Sequence, residues 1–578
     1  MVFPTTSRRD ARTPSTALLQ LSRLLSPLHC SHAQGSCFAG VLGLPRGKTT
    51  NRLCEKPKCF ANSLRWVLEW LRGGCQVSSA TSASHAADIV VVGSGAGGAT
   101  CARNLAIAGF EVALVEEGSW VEDDDFDSNL WRAMKRTFRD FGATYAEGRA
   151  IIPVLQGRCV GGTTVINSAI CWRTPEDVLD HWRREFGLAD TLRQDRLDRA
   201  FEAIEKDLSI APTPESAYSE SDRLMKSACS KAGLRPEPTV RNVKDCEASG
   251  LCLQGCQGRR KQSMAVTYVP QAQQAGAEVF PRHRVERVVL DRGRAVGVEG
   301  HTVPSSVYDH GKGDQFRILA RKGVVVAASA VQTPLILMRS GLRMPEIGRH
   351  FQGHPGVGVL GFYQQKIRMW EGATQGFQAV PPRSARFKLE TLALPPELLA
   401  VRIPGIGRAL VQEIANLEHA ALWAVLVRSH AEGRIVPANG LRSPIQYSIS
   451  PQDLEIYANG IKTAALMMLE EGAEYVMPGV WGLPERITSP DELSCITPEA
   501  LDARRMSLVM THYMSSCRMG ASPKYSAVNP AFETWEIERL YVADASVLPT
   551  NMGVNPQHTI VAMAWLASER IASALGQA

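Results

Sequence analysis

A clear alternation of hydrophobic and polar positions begins at residue 87. Ala87–Val92 is a short apolar run rich in β-branched side chains, the pattern of a strand buried on both faces. A helical stretch, Ala99–Ala108, follows, and a second apolar run, Glu111–Val115, ends at Glu116. This order of strand, helix and strand predicts a β–α–β unit with a parallel sheet, and therefore an α/β fold.

The turn between the first strand and the helix carries three spaced glycines, Gly93, Gly95 and Gly98. We expect Gly93 to permit the tight turn, Gly95 to let the backbone approach a pyrophosphate, and Gly98 to allow close packing of helix and strand. Glu116 ends the second strand, where a carboxylate can bind a ribose hydroxyl. The unit predicts a dinucleotide site, although glycines alone do not distinguish FAD from NAD.

Three further segments narrow the choice of cofactor. Gly157–Asn167 is rich in Gly and Thr, Gly323–Ala328 is a buried strand that turns into a helix, and Leu540–Thr559 is a strand that leads into a helix. In the same order along residues 87–578, they resemble signature segments of the glucose–methanol–choline (GMC) oxidoreductase family. The resemblance implies FAD, whereas an unrelated Rossmann-type protein would use NAD.

The resemblance also implies where FAD lies. In the family the first segment covers the flavin and the last closes its site, which would put Asp544 near the pyrophosphate and aim the N-terminus of a Thr559–Ala574 helix at the flavin. Some members tether FAD through a His at the position of Ile166, so we expect noncovalent binding here. The implied cofactor contacts are Gly93, Gly95, Gly98, Glu116, Arg158, Gly161, Gly162, Thr163, Thr164, Asn167, Asp544, Asn555 and Thr559.

Two residues near the C-terminus are the candidate catalytic pair. The segment His512–Gly520 is similar to the family's catalytic motif, and Asn555 matches the position of the second partner. Hydride leaves an alcohol carbon easily only while the hydroxyl proton is being lost, so the chemistry needs a base. We expect His512 to be that base and Asn555 to hydrogen-bond the same oxygen. His558 is interpreted as a structural histidine, with a catalytic role as the alternative.

The family's FAD domain is assembled from separated segments around an inserted substrate domain. We therefore predict an α/β fold in which a Rossmann-type FAD-binding domain (βαβ, GxGxxG) holds an inserted α+β substrate-binding domain. The FAD-binding domain would comprise 87–345, with cap segments at about 175–250, and 505–578, and the substrate domain 346–504. Within the latter, the apolar stretch Ala393–Gly407 is expected to pack on a sheet, with an access channel or membrane docking as alternatives.

Residues 1–86 differ in composition from the rest of the chain. They contain 11 Lys and Arg against 3 Asp and Glu and are rich in Ser and Thr, whereas residues 87–578 contain 53 basic and 55 acidic residues. This composition is typical of an organelle transit peptide and predicts a mitochondrial or plastid location. A disordered tail or a misassigned start codon are the alternatives. The near-neutral remainder argues against a broad nucleic-acid surface.

The overall composition excludes other classes. With 578 residues, 44% of them hydrophobic, the chain can bury a large core, and it has no run of about 18 apolar residues that would predict a spanning helix. Its 14 cysteines are scattered, which argues against a disulfide framework and favours a reducing compartment. Cys246, Cys252 and Cys256 lie close together and are interpreted as structural thiols. An iron–sulfur cluster is the alternative, and no other metal site is predicted.

Two segments, Asn167–Trp182 and Gly520–Ala545, look most like the long-chain fatty alcohol oxidase branch of the family. The resemblance implies an FAD-dependent oxidoreductase that takes hydride from a primary, long-chain alcohol and passes electrons to oxygen or a quinone-like acceptor. Its partners would be small molecules, with a candidate peripheral membrane contact. The alternatives are a light-driven fatty-acid decarboxylase of the same fold and a non-enzymatic flavin-binding protein. The pair His512 and Asn555 argues against both.

Overall fold

The computed structural model describes residues 85–122, 126–304, 312–438 and 442–576. In chain order the strands are β1 (His85–Val92), β2 (Val112–Val115), β3 (Tyr145–Glu147), β4 (Ile152–Pro153), β5 (Ile210–Pro212), β6 (Pro236–Pro238), β7 (Val240–Asn242), β8 (Glu278–Phe280), β9 (His283–Asp291), β10 (Arg294–Thr302), β11 (Gln315–Val326), β12 (Gln352–Phe362), β13 (Phe377–Ala379), β14 (Phe387–Thr391), β15 (Ala420–Val427), β16 (Arg434–Ile435), β17 (Ile445–Gln446), β18 (Tyr475–Met477), β19 (Leu508–Met514) and β20 (Leu540–Val542). The α-helices are α1 (Ala96–Ile107), α2 (Leu130–Thr137), α3 (Glu176–Glu185), α4 (Gln194–Asp207), α5 (Glu220–Lys231), α6 (Tyr268–Gln274), α7 (Ser329–Arg339), α8 (Pro396–Ala400), α9 (Gly407–Ala415), α10 (Pro451–Glu470) and α11 (Gln557–Gly576).

The first large sheet is built around the predicted β–α–β unit. Its strands run in the order β8-β2-β1-β11-β10-β9, and β20 pairs with β11. The pairs β1–β2, β1–β11, β2–β8 and β11–β20 are parallel, and β9, β10 and β11 form an antiparallel extension. Ile89–Val92 and Val112–Val115 are buried, as expected for strands covered on both faces. Helix α1 packs against α6 and α11 beside this sheet.

The second large sheet is antiparallel. Its order is β18-β12-β15-β14-β13-β6, and β19 pairs with β12. Helix α10 packs on β12, β14 and β15, and α5 packs on β13 and β14. Because neighbouring residues of a strand point to opposite faces, every second residue of β14 and β15 is left for the other side of the sheet. That side contributes to the cavity described below.

The structure confirms the Rossmann-type unit together with a second sheet, and three strands pair across the expected domain limits, which stay predictions. Strand β1 begins at His85, within the segment assigned to a presequence, because residues 85–87 already pair with β11. Strand β19 was expected in the cofactor-binding domain, but Leu508–Met514 pairs with β12 of the second sheet. Strand β6, from the expected cap segment, also joins that sheet through β13. The candidate base His512 therefore lies on the second large sheet.

Most of the predicted presequence, residues 1–84, lies outside the described residues. Across the described part of the chain, no helix combines the length and apolarity that a membrane-spanning segment requires. The nine cysteines of the described residues, from Cys101 to Cys517, are free thiols.

Candidate active site

A cavity of about 620 Å³ is lined by residues of both large sheets. One part of its wall is the backbone of the turn between β1 and α1. Another part is formed by β12, β15 and β19, and the alternate residues Leu422, Ala424 and Leu426 of β15 face it. The cavity thus joins a region of bare backbone to a region of apolar side chains.

The glycines of the first turn meet different requirements. Gly93 has a φ of +96°, which side chains rarely adopt, and an added Cβ would lie 2.4 Å from the Ala327 carbonyl oxygen. At Gly98 an added Cβ would lie 1.8 Å from the Gly93 carbonyl oxygen. At Gly95 it would meet no atom within 4 Å. The protein's own packing therefore requires Gly93 and Gly98, whereas Gly95 leaves a bare backbone surface that lines the cavity.

Helix α1 presents its N-terminus to this surface. Gly95 is its N-cap, no side chain caps the first turn, and that turn contains no acidic residue. Gly95, Ala96 and Gly97 line the cavity. Because the first N–H groups of a helix lack partners within it and carry partial positive charge, they form a site for an anion. These residues fit the pyrophosphate of FAD.

Glu116 stabilises the glycine-rich turn through hydrogen bonds to its carboxylate. Its carboxylate accepts hydrogen bonds from the Ser94 backbone N–H at 2.9 Å, the Ser94 hydroxyl at 2.7 Å and the Gly118 N–H at 2.8 Å. The Ser94 hydroxyl in turn accepts the N–H of Gly161 at 2.9 Å. Burial raises the pKa of Glu116. Its carboxylate lines the cavity, and its contact with a ribose stays a prediction.

The Gly157–Asn167 loop lies against the glycine-rich turn. Gly161 and Gly162 have φ values of +91° and +56°. An added Cβ on Gly162 would lie 2.9 Å from the Cα of Gly95. The Thr164 hydroxyl donates to the Gly161 carbonyl at 2.6 Å and keeps the loop in this conformation. Two glycine backbones therefore meet at this corner of the cavity.

Lys261 holds the same loop from outside the cavity. Its Nζ donates to the carbonyl oxygens of Val165 at 2.6 Å, Asn167 at 2.8 Å and Cys252 at 2.7 Å. Burial lowers the pKa of Lys261 to about 8. No role was predicted for this lysine, because a basic residue in a Gly-rich and Arg-rich loop is typical of an exposed surface.

The C-terminal segment completes the cofactor side of the cavity. Asp544 accepts the Ser329 N–H at 2.9 Å and the Thr333 hydroxyl at 2.5 Å, and it lines the cavity. The side-chain amides of Asn167 and Gln557 are hydrogen-bonded to each other. Helix α11 begins at Gln557, two residues before its expected start, and Gln557 lines the cavity. The N-terminus of α11 therefore faces the cavity, as the resemblance implied.

Most of the expected cofactor contacts lie in the cavity wall, namely Gly93, Gly95, Glu116, Gly162, Thr163, Thr164, Asn167, Asp544 and Asn555. Gly98 and Gly161 lie behind the wall, where they allow close packing. Arg158 and Thr559 do not line it either. The Thr559 hydroxyl is buried 2.8 Å from that of Thr174, and the cofactor contacts of Arg158 and Thr559 stay predictions.

His512 and Asn555 meet in the cavity. The Asn555 Nδ2 lies 3.2 Å from the His512 Nε2, and both residues line the wall. The other ring nitrogen, Nδ1, is buried without a hydrogen-bond partner among the described residues. A hydroxyl placed beside this pair could donate its hydrogen to Nε2 and accept one from Nδ2. The structure thus brings the predicted pair together at distances suited to that role.

A buried ion pair that was not predicted from the sequence lies beside His512 and Asn555. Lys388 and Glu390 alternate along β14, with side chains only 4% and 1% exposed. The Lys388 Nζ lies 2.5 Å from a carboxylate oxygen of Glu390 and 2.5 Å from Oδ1 of Asn555. Gln375 donates to the other Glu390 oxygen at 2.7 Å. Alternating charged residues in a strand usually indicate a solvent-exposed face, so no local signal marked these two.

The surroundings of His512 keep its imidazole neutral. Burial and then the Lys388 cation lower the pKa of His512 to about 3. A second buried histidine, His354, packs edge-on with a ring-centre distance of 5.5 Å. Burial also holds the pKa of His354 well below its usual value. A neutral imidazole can accept a proton, which is the state a base requires.

His558 lies outside the cavity wall. Its ring is 2% exposed and packs edge-on against Phe201, with ring centres 4.7 Å apart. Burial lowers the pKa of His558 to about 4. These contacts are those of a structural histidine.

Two of the three clustered cysteines are hydrogen-bonded to protein groups. Arg241 donates to the Cys252 sulfur at 3.5 Å, and the Lys261 N–H donates to the Cys256 sulfur at 3.4 Å. Among the described residues, which include Cys246, no three His, Cys, Asp or Glu side chains are arranged to hold a metal ion. The cysteine-rich loop instead supports the cavity through Lys261.

The Ala393–Gly407 stretch contributes apolar side chains to the cavity wall. Leu394, Leu398 and Val401 line the cavity, while Val401 and Ile406 are 79% and 87% exposed. Leu399 and Ile403 are buried in the core. The stretch therefore packs on the protein and also lines the cavity, while an access channel and membrane docking stay predictions.

Comparison with known proteins identifies related chains. Two family models described as GMC oxidoreductase match residues 87–356 and 431–564. An uncharacterized GMC-type oxidoreductase of Mycobacterium tuberculosis is 32% identical over 495 residues, which are 85% of this chain and 76% of the relative. A long-chain-alcohol oxidase of Arabidopsis thaliana is 26% identical over 558 residues, covering 92% of this chain and 74% of the relative.

Solved structures share the fold at low sequence identity. Pyridoxine 4-oxidase from Mesorbium loti has a TM-score of 0.63 and 18% identity, and the match covers 83% of this chain and 98% of that chain. A formate oxidase of Aspergillus oryzae, studied for FAD modification, has a TM-score of 0.65 and 15% identity over 86% of this chain and 100% of that chain.

Substitution of two glycines separates folding from cofactor binding. In Gly98→Ala the methyl group meets backbone, so the free energy of unfolding should fall by at least about 1–3 kcal/mol. In Gly95→Ala the methyl group enters the cavity, so the fold should persist while FAD content drops. Tm and bound flavin are measured for both proteins. Full flavin content in Gly95→Ala, or an unchanged Tm in Gly98→Ala, would count against this assignment.

The buried histidines should make stability depend on pH. The folded-state pKa of His512 is about 3, whereas its ordinary value is 6.5. Because only the unfolded chain binds the proton in this interval, stability is full above pH 6.5 and is lost as the pH falls towards 3, by up to about 1.4 kcal/mol per pH unit. The denaturant midpoint of His512→Asn should therefore depend less on pH than that of the wild type. Parallel pH profiles of the two proteins would refute the depressed pKa.

Proposed function

The chain belongs to the GMC oxidoreductase family and is an FAD-dependent oxidoreductase, and on that premise we propose that it oxidises a primary, long-chain alcohol to an aldehyde. The observation that carries this proposal is the pairing of His512 and Asn555 at 3.2 Å in the wall of a cavity whose other end is apolar. The pair supplies the chemistry for a hydroxyl, and the apolar end supplies a site for an alkyl chain.

FAD is the cofactor of this family and is bound noncovalently. Ile166, at the position of the family's tethering His, lines the cavity and has no nucleophilic atom. Gly95, Ala96 and Gly97 at the N-terminus of α1 would hold the pyrophosphate. When bound, FAD accepts the hydride that leaves the alcohol carbon.

The residues of the chain act on the hydroxyl group. The substrate oxygen would accept a hydrogen bond from the Asn555 Nδ2 and donate its own hydrogen to the His512 Nε2. As the C–H bond breaks, its electron pair leaves with the hydrogen and the O–H proton passes to Nε2, so the carbon becomes an aldehyde. Asn555 fixes the oxygen and takes no proton. Oxygen or a quinone-like compound then takes up the two electrons.

The preference for a long chain rests on the cavity and on relatives. Leu398, Val401, Leu422 and Leu426 contribute apolar side chains to the cavity wall. Several Arabidopsis thaliana relatives at 26–28% identity are long-chain-alcohol oxidases. An alkyl chain buried along such side chains gains about 0.8 kcal/mol per CH₂ group, so affinity should rise with chain length.

The location in a mitochondrion or plastid belongs to this proposal as well. It rests on the basic, acid-poor composition of residues 1–86. A fusion of this segment to a fluorescent protein would be expected to enter one of these organelles, and a diffuse signal would refute the assignment.

The alcohol should reduce the bound flavin directly. With the holoenzyme kept anaerobic and dark, addition of a long-chain primary alcohol is expected to abolish the oxidised-flavin absorbance and to yield the aldehyde. His512→Asn should bind FAD normally and be reduced at least about 100-fold more slowly, the usual contribution of a general base. His558→Asn is the matched control and should be reduced at close to the wild-type rate.

Other outcomes of this experiment would replace the proposal. A flavin that no primary alcohol reduces would refute alcohol oxidation. Conversion of a fatty acid to a hydrocarbon under light alone would instead support the decarboxylase. Equal reduction of the His512→Asn and wild-type flavins would remove His512 as the base.

The exposed part of the cavity mouth predicts a peripheral lipid contact. Val401 lines the cavity and is 79% exposed, and Ile406 is 87% exposed. A long-chain alcohol dissolves in lipid, so a mouth that touches a bilayer would receive it without passage through water. The protein should sediment with phosphatidylcholine vesicles, and Val401→Ser with Ile406→Ser should weaken this binding. Ile107→Ser, which removes a 59%-exposed side chain on α1, is the control and should leave it unchanged.

A further inference from the structure

The Lys388 ammonium group is enclosed in the protein and has two oxygen neighbours. One is a carboxylate oxygen of Glu390, and the other is Oδ1 of Asn555. Its Nζ also lies 5.2 Å from the centre of the Trp172 ring. Burial of a lysine is costly unless its charge is paired and its hydrogens are bonded, and here Glu390 pairs the charge and two of the three hydrogens have oxygen acceptors. The position of the ammonium group beside the catalytic amide is therefore well defined.

An ammonium group can donate hydrogen bonds and cannot accept them. The amide atom of Asn555 that faces Lys388 must therefore be the oxygen. The NH₂ group of the same amide then points to His512, where Nδ2 lies 3.2 Å from Nε2. A free asparagine could turn its amide over and present its oxygen instead, but that would place nitrogen hydrogens against the ammonium group.

The orientation of the amide determines which nitrogen of His512 carries the proton. Because Nδ2 is a donor, Nε2 must offer its lone pair, and the proton of the neutral ring is on Nδ1. Nε2 is the nitrogen that faces the partner amide in the cavity, and it is the atom that a base must keep unprotonated. With the opposite orientation, an amide oxygen would favour a hydrogen on Nε2 and the ring could not accept one there.

We propose that Lys388, held in place by Glu390, is a positioning residue that locks the Asn555 amide as a donor and thereby keeps Nε2 of His512 ready to accept the substrate proton. This inference rests on the proposed function of the pair and deepens it. Lys388 acts through Asn555 and is separate from the two groups that touch the hydroxyl. Gln375 extends the arrangement, because its bond to the second Glu390 oxygen fixes the carboxylate that anchors the lysine.

A purely structural ion pair would behave differently under substitution. If Lys388 and Glu390 served only to pair with each other, any two neutral side chains of similar size should replace them equally well. If Lys388 orients Asn555, the replacement must still donate a hydrogen bond. Hydrogen-bond donation at position 388 is therefore the variable that separates the two roles.

Two double variants share Glu390→Gln and differ at position 388, where Gln can donate a hydrogen bond and Met cannot. Lys388→Gln with Glu390→Gln removes both charges and keeps an N–H donor at position 388. Lys388→Met with Glu390→Gln removes the same charges and supplies a side chain of similar size without a donor. Neither leaves an unpaired buried charge. Flavin content and Tm establish that both variants fold and bind FAD.

The rate of anaerobic flavin reduction by a long-chain alcohol should differ between the two variants. The Gln variant should keep most of the limiting reduction rate, whereas the Met variant should be slower by about tenfold or more, since a lost donor raises the barrier through misorientation of the amide. The alcohol concentration at half-saturation should change much less than the rate. Equal rates in the two variants would overturn the proposal.

The protonated nitrogen of His512 provides a readout independent of activity. With ¹⁵N-labelled histidine, and His512 assigned by comparison with His512→Asn, the wild type and the Gln variant should show an unprotonated Nε2 and a protonated Nδ1. The Met variant should show a mixture of the two forms. The same tautomer in the Met and Gln variants would refute the role of Lys388. If no alcohol reduces the wild-type flavin, the proposed function fails, and this spectrum still decides whether Lys388 orients the amide.

Discussion

A buried ammonium group beside an amide is the constraint on which the reactive end of this cavity depends. Lys388 can only donate, so Asn555 accepts on one side and donates on the other, towards His512. Glu390 pairs with the lysine and offsets the free-energy cost of burying its charge. The direction of each hydrogen bond in this part of the site follows from the chemistry of one side chain.

The two sides of the cavity differ in whether backbone or side chains form the contacts. On the cofactor side the contacts come largely from backbone, because Gly95 and Gly162 bring main chain to the surface and α1 presents uncapped N–H groups. On the substrate side the contacts come from side chains of an antiparallel sheet, whose alternate residues face the cavity. Backbone contacts suit a group that is the same in every cofactor molecule, such as a pyrophosphate. Side-chain contacts can differ with the substrate.

The cofactor side was predictable from sequence because it depends on local geometry. Gly93 and Gly98 occupy positions where the surrounding backbone leaves no room for a Cβ. Such positions can be recognised in a sequence because they require glycine at a fixed spacing. His512 and Asn555 were found through the family resemblance, and the structure brings them together. The burial of Lys388 and Glu390 could not be predicted in this way, because charged residues at alternate positions of a strand are typical of an exposed face. The contact of Lys388 with Asn555 joins residues 167 positions apart, so the local sequence does not indicate it.

The measurement that tests the central claim most directly uses a long-chain alcohol with deuterium in place of both hydrogens on its hydroxyl-bearing carbon. In the wild-type holoenzyme, anaerobic and in the dark, hydride loss from that carbon predicts that flavin reduction slows several-fold with the deuterated alcohol. Reduction at the same rate with both alcohols, in a step shown not to be limited by binding, would mean that this C–H bond is not broken during flavin reduction. That result would contradict the account of His512 and Asn555 as the groups that prepare the alcohol for hydride loss.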